Sequence, residues 1–310
     1  MSEKTFAPVV LLVYNRPEHV KRGIESLLRN AEAPQTDLYI FSDAARTPAD
    51  EAKVSEVRQI VHGIKGFKKV VVTERQNNIG LAANVTGGVT EVVNSYGRVI
   101  VLEDDLVVAP YFLRFMNDAL ETYKDEERVG HIQACDFTRS NELPPTFLIK
   151  WTGSWGWATW ARAWKLYNPD GSALLHELED RHLTNTFDFN GKYIFTKMLR
   201  NQVEGKNDSW AIRWNASLFL HDVLSLNVGR SLVSNVGLDG SGTNSTALDP
   251  YTSDLWMEPL PVEKIIPIQE NLDARHIYEM YYAHTYTLWN RARQRLARIM
   301  ARWHLKKNRA

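Results

Sequence analysis

The sequence has one cysteine, Cys135, in 310 residues. That excludes an internal disulfide, and no Cys-x-x-Cys or Cys/His spacing offers a zinc site, which fits a reducing compartment. Cys135 itself is expected as a buried core thiol. No apolar run approaches the ~20 residues of a membrane span. The opening "MSEKTFAPVVLLVYNRPEH" has a short apolar run, interrupting acids and proline, and no small-residue cleavage site, so no secretory leader is read there and a cytoplasmic protein is expected. Neither sign of charge dominates: 37 Lys and Arg stand against 37 Asp and Glu. No global field therefore favours nucleic acid or an acidic polymer, and any charge-based recognition must be local. Also missing is a glycine-rich phosphate loop behind the first apolar run, where the chain reads "VYNRPEH".

What the chain does have is alternation. "PVVLLV" (8–13), "DLYIFSD" (37–43), "KKVVVTER" (68–75) and Val99 to Leu102 are apolar, β-branched runs that read as buried strands. Between them lie helical patterns: one opening on Pro17 with Val20, Ile24, Leu27 and Leu28 on one face, "DEAKVSEVRQIVHGI", and "LAANVTGGVTEVVNSY". This strand–helix order predicts an α/β fold with a largely parallel sheet flanked by helices. Beyond about residue 130 the pattern becomes mixed, with aromatic-rich loops, a polar helix near 174–204, an amphipathic segment near 208–223, and helix again from 273.

In parallel sheets ligands bind outside the carboxyl ends of the strands. The polar punctuation falls there: Tyr14, Asn15 and Arg16 after the first strand, Asp43 after the second, Asn77, Asn78 and Gly80 after the third. The fourth ends in Glu103, Asp104 and Asp105. Carboxylates mounted on a strand end suit a hard divalent cation completed by substrate phosphates. The competing use is capping of the helix that follows Pro110, but Asp105 lies five residues before that proline, outside the first turn where a dipole acts.

"VIVLEDDLVVAPYFLRFMNDAL" resembles the metal-binding segment of nucleotide-sugar-dependent glycosyltransferases of the GT-A fold, and is similar in particular to the N-acetylglucosaminyltransferases that begin N-glycan branching, which carry Glu-Asp-Asp. "VLLVYNRPEHVKRGIESLL" is similar to their opening strand and helix, "FSDAA" to the second strand, and "NNIGLAANV" to a segment of bacterial family 2 glycosyltransferases. The resemblance, across residues 8–245, implies a Rossmann-like GT-A fold with a C-terminal helical extension. It divides the chain into a nucleotide-sugar half (1–130), an acceptor half of the same domain (131–260) and a basic helical extension (261–310). It implies that Asp105 meets Mn²⁺ or Mg²⁺ and that Glu103 and Asp104 serve the nucleotide and the metal's waters. It further implies that Arg16, with Tyr14 beside it, approaches the diphosphate of a UDP-sugar, that Asp43 reads uracil, and that Asn78 and Gly80 line the same site. Surface pairing for Arg16 and plain turn chemistry for Asp43, Asn78 and Gly80 remain open.

Ten tryptophans are present, five of them between Trp151 and Trp164. In "KWTGSWGWATWARAW", Trp155, Gly156 and Trp157 are expected to line the sugar pocket, and Trp160 and Trp164, at i,i+4, to anchor a helix in the core. "KNDSWAIRWNASLFL" resembles the family segment that carries the base for an inverting transfer, which makes Asp208 the catalytic candidate with Trp210 packed behind it; Asp208 equally suits an N-cap. "NVGLDGSGTNS" is expected to close over the diphosphate, with Asn244 where many relatives place a metal-binding histidine. His131, His176, His182 and His221 show no metal spacing and read as surface or satisfied core histidines. The final segment carries Arg291, Arg293, Arg295, Arg298, Arg302, Lys306, Lys307 and Arg309 around Leu296, Ile299, Met300 and Trp303. Such a stripe suits an anionic membrane surface, the inner face of the membrane, or another subunit. The expected reaction moves a sugar, N-acetylglucosamine or another hexose, from a UDP-sugar to a glycan or lipid-linked saccharide in bacterial polysaccharide synthesis. The rivals are a sugar nucleotidyltransferase and a non-catalytic carbohydrate-binding protein.

Overall fold

The computed structural model of the chain describes residues 6–239, 253–262 and 264–287. Ten strands are found among them: β1 Val9–Val13, β2 Asp37–Ser42, β3 Lys69–Glu74, β4 Arg98–Glu103, β5 Leu106–Val108, β6 Val129–Gln133, β7 Thr146–Ile149, β8 Trp157–Trp160, β9 Leu224–Val228 and β10 Val233–Asn235. Eight form one sheet in the order β3-β2-β1-β4-β8-β6-β9-β7, while β5 and β10 make a separate antiparallel pair. β1 to β4 pair in parallel; β8 runs antiparallel to both β4 and β6, so β6 and its parallel partner β9 point the same way as β4. Only β8 and β7 are reversed. The α/β, mainly parallel GT-A-like fold read from the sequence is the fold observed.

The helices are α1 Pro17–Leu28, α2 Glu51–His62, α3 Gly80–Tyr96, α4 Phe112–Thr122, α5 Ala161–Trp164, α6 Gly171–Asp180, α7 Thr184–Phe187, α8 Phe195–Val203, α9 Trp210–Leu220 and α10 Leu272–Thr285. One sheet face carries α1, α2 and α4, whose Val20, Leu27, Val57, Val61, Phe112, Phe115 and Leu120 share a core with Leu11, Ile100, Leu102 and Leu226. The other face carries α3 and α9 over Val10, Val99, Val101 and Trp157. Beside them an aromatic-rich cluster joins β7 to α6, α8 and α10.

The first half follows the sequence pattern because each buried run has a single apolar period. The second half departs from it. The polar helix expected at 174–204 is three helices, interrupted where His182, Phe189 and Asn190 take left-handed backbone (φ 54°, 51° and 54°), conformations that a continuing α-helix forbids. The segment near 208–223 is α9, buried on nearly every side between the sheet and α6 and α8 rather than amphipathic. Trp160 closes β8 and Trp164 closes the short α5, so they do not share a helix, although both are core residues as expected. Cys135 is buried, as its reading as a core thiol requires. The basic segment from 291 lies outside the described residues.

The second face contains an internal polar strip. His131 and Gln133 of β6 and Ser225 and Asn227 of β9 project from alternate positions, and His131 registers with Ser225. All four are buried; His131 lies against the Gln133 side chain and the Gly153 backbone, and among the described residues Ser225 Oγ and Asn227 Oδ1 have no hydrogen-bond partner. His131 stacks on Trp157 at 5.4 Å, and its Nδ1 accepts from Trp214 Nε1 at 3.1 Å. Indole can only donate, so His131 carries its proton on Nε2.

Burial lowers His131 to about 3. An unfolded imidazole takes up its proton below ~6.5, so the unfolded chain binds one more proton through this residue from there down to about 3, and stability falls as pH falls through that window. We expect urea unfolding to show a steeper acid loss of stability in the wild type than in His131→Asn, whose amide oxygen still faces Trp214. Equal slopes between pH 7 and pH 4.5 would rule out this contribution.

Candidate active site

Six strands deliver their carboxyl ends to one edge. β1 and β4 are adjacent and in register, with Leu12 opposite Glu103, so the residues that follow each strand meet in space. Arg16 leaves β1 just ahead of Pro17, where α1 begins. Its Nη2 donates to Asp104 Oδ1 at 2.5 Å and its Nη1 to Asp105 Oδ2 at 3.1 Å. Asp104 also accepts from the Tyr14 backbone N–H at 3.2 Å. Thus Arg16 is no casual surface pair. It bridges two acids, one of them buried.

Three carboxyls face this one guanidinium. Burial first, then the charges of Asp105 and Asp104, push Glu103 up to about 8, with only Arg16 opposing. Burial likewise pushes Asp104 up to about 6 against the attraction of Arg16. A cluster so short of positive charge, made wholly of oxygen donors, fits a hard divalent cation. Among the described residues no three His, Cys, Asp or Glu side chains form a ready cage. A cation here would therefore take its remaining ligands from phosphate oxygens and water, as Mg²⁺-type sites commonly do.

The neighbouring strand ends are tied to one another. Asp43, buried after β2, accepts from Ala44 N–H at 2.9 Å and Ile79 N–H at 3.0 Å through Oδ1, and from Gly80 N–H at 3.0 Å through Oδ2. It therefore caps α3 from another element. Gly80 starts that helix at φ +79°, backbone that a side chain disfavours. Asn78 returns the contact by donating to Ala44 O at 2.8 Å. Tyr14 Oη accepts from Arg46 N–H at 2.9 Å, and Asn15 Nδ2 donates to Asp50 Oδ1 at 2.8 Å, which folds the loop after β2 against β1.

On the acceptor side the expectations divide. Trp155 is half-buried, and its carbonyl accepts from Gln133 Nε2 at 3.3 Å. Trp157, expected in the pocket, is instead core, and Trp210, expected behind Asp208, is buried with it: they are 0% and 3% exposed and stack at 5.2 Å. Gly156 is buried against Val233 and Phe112. The reason is the β4–β8 pairing, which turns Trp157 inward opposite Val101. Asp208 is not the N-cap of α9; Ser209 is, accepting from Ile212 N–H. Asp208 stands 69% exposed with Arg213 Nη2 at 3.1 Å. Asn244 lies outside the described residues. Gly237 opens the glycine-rich stretch expected over the diphosphate, and what sequence reading did not give is its contact with the acids, onto which β10 carries it: Val236 N–H donates to the Asp105 carbonyl at 2.8 Å.

The signature of glycosyl transferase family 2 matches residues 9–165, from β1 through the acid turn to α5. The chain belongs to this family. It is a glycosyltransferase, an enzyme of glycosyl transfer. No curated protein matches the chain. Among the solved structures to which the chain is similar are the following. One is the mannosyltransferase PcManGT from Pyrobaculum calidifontis in complex with GDP-Man and Mn²⁺ (13% identity, covering 71% of each chain, TM-score 0.39). Another is S. aureus TarS (13%, 44% of this chain and 23% of that one, 0.31). The third is a UDP-glucose pyrophosphorylase complexed with UDP-glucose (10%, 74% and 94%, 0.39). At these TM-scores none of them assigns a donor or an acceptor.

Replacing Asp43 by alanine leaves three backbone N–H groups without their acceptor. We expect Asp43→Ala to cost about 1–3 kcal/mol, checked by urea denaturation at pH 7. An unchanged midpoint would mean that the capping contacts contribute nothing.

Proposed function

We propose that this glycosyltransferase uses a UDP-sugar donor with Mn²⁺ or Mg²⁺ and transfers the sugar, with inversion, to a hydroxyl of a glycan or lipid-linked saccharide. The observation that carries the reading is the pairing of Arg16 with Asp104 and Asp105, next to Glu103, at the carboxyl edge of a family 2 fold. Asp105 would hold the cation, with Glu103 and Asp104 behind it. The bound cation supplies neutralisation of the charge that develops on the leaving diphosphate.

The chain's own residues account for the rest. Arg16 holds the diphosphate while keeping Asp104 paired. Asp43, already fixed by three N–H donors, keeps one lone pair, on Oδ2, to accept a hydrogen bond from uracil N3–H, and Tyr14 and Asn78 frame the base. Trp155, half-buried in its loop, offers an apolar edge to the acceptor. Asp208 takes the proton from the acceptor hydroxyl. Supporting that role, α9 begins at Trp210 stacked on Trp157, and Trp157 pairs with Val101, two residues before Glu103. The start of α9 is therefore turned toward the same edge as the acids.

N-acetylglucosamine is the first sugar to screen, because of the Glu-Asp-Asp triplet shared with the N-glycan-branching enzymes, and polysaccharide synthesis is the setting in which such an acceptor is available. Residues 1–130 would serve the donor and 131–260 the acceptor. No helix among the described residues is long and apolar enough to cross a membrane; attachment to an anionic surface would fall to the basic segment from 291. The nucleotidyltransferase alternative is the weaker reading, since the family signature is that of a transferase of sugars and no glycine-rich loop follows β1.

Calorimetric titration of UDP with Mn²⁺, repeated with chelator, tests the donor site. We expect metal-dependent binding in the wild type and at least tenfold weaker binding in Asp105→Ala; no UDP binding by folded protein under either condition would overturn the uridine assignment. For Asp208→Asn we expect kcat lower by on the order of 10²–10⁴-fold with donor binding retained. Undiminished turnover would remove Asp208 from the mechanism.

A further inference from the structure

The turn that carries the acids is gripped by two glycines. On the α1 side, a Cβ on Gly23 would stand 3.1 Å from the Leu106 carbonyl oxygen and 3.9 Å from that of Asp104. From β10, a Cβ on Gly237 would stand 2.6 Å from Asp105 Oδ2, 2.8 Å from Arg16 Nη1 and 2.8 Å from Asp105 Cβ. The first two of those atoms end flexible side chains and can turn aside. The third cannot, because a Cβ is fixed by its own backbone. Gly237 is not among the glycines of positive φ, so backbone conformation does not require glycine there. Closeness to the acid does. The approach is also anchored: Asn235 pairs with Leu106, Val236 N–H donates to Asp105 O at 2.8 Å, and Gly237 N–H donates to Asn235 Oδ1 at 2.8 Å.

We propose that Gly237 is a positioning residue for the metal acid. Its bare Cα presses against Asp105 and Arg16 together, fixes the direction of the Asp105 carboxylate, and leaves the room beside it that a cation-bound diphosphate needs. Gly23 grips the same turn only through main-chain carbonyls. This inference rests on the donor-site reading above, in which Asp105 holds the cation.

The test is titration of Mn²⁺ in the presence of UDP, followed by the paramagnetic resonance of the free ion, on the wild type, Gly237→Ala and Gly23→Ala, with Tm measured alongside. Gly237→Ala is expected to weaken Mn²⁺–UDP binding at least tenfold. Gly23→Ala is expected to lower Tm but to keep Mn²⁺–UDP affinity within threefold. No Mn²⁺–UDP binding in the wild type would overturn the donor-site reading and the inference with it. Wild-type binding matched within twofold by Gly237→Ala would overturn the inference alone, as would an equal loss in Gly23→Ala. If Gly237→Ala does not fold, Asn235→Ala decides: it releases the pinned Gly237 N–H without adding atoms, so a threefold or greater loss of Mn²⁺–UDP affinity supports the inference and unchanged affinity overturns it.

Discussion

The bridge from Arg16 to Asp104 and Asp105 is the contact on which the rest of the site depends. Three carboxyls at one strand end repel one another, and in a half-dry edge that repulsion is weakly screened. One guanidinium, delivered by the neighbouring parallel strand, holds two of them in a fixed geometry and leaves the third short of charge. A planar fork serves here in a way that a lysine could not, because it reaches two carboxylates at once.

Around this bridge, the strand ends are bound to each other rather than to their own elements. Asp43 of the β2 end caps α3, Asn78 of the β3 end reaches back to Ala44, and Asn15 of the β1 end holds Asp50. Each contact joins two loops, so the edge behaves as one cross-linked rim above the sheet. The polar strip beneath α9 is the counterpart on the second face: it separates the α3 core from the aromatic cluster of α6, α8 and α10. Groups left unpaired there are costly, and internal water is the ordinary means by which proteins satisfy such groups.

How much of this the sequence disclosed depended on locality. β1 to β4 and their helices announce themselves through apolar period and through Pro17, and the polar residues at their ends mark the site edge. From residue 129 onward the sheet is built from short strands whose partners lie far away in sequence, such as β4 with β8 and β7 with β9. Their alternation is too brief to separate from loop, and Trp157 reads as readily as a ligand platform as it does a core residue. Only pairing opposite Val101 decides that it faces inward. The same holds for Asp43, whose three N–H partners come from the third strand's loop as well as its own, and for Gly237, which looks like any turn glycine until β10 sets it on Asp105.

That last pairing has a consequence for how the site comes into being. β5 immediately follows the acids, yet its partner β10 is made more than a hundred residues later, after the whole second half of the sheet. A chain emerging from the ribosome can pair β1 with β4 early, but the wall beside Asp105 arrives only with residues 233–237. Long-range closure of this kind is slow and comes late. The edge that carries the acids is therefore the last part of the main sheet region to be finished. A nascent chain would display its acids and its arginine before residues 233–237 had closed beside them.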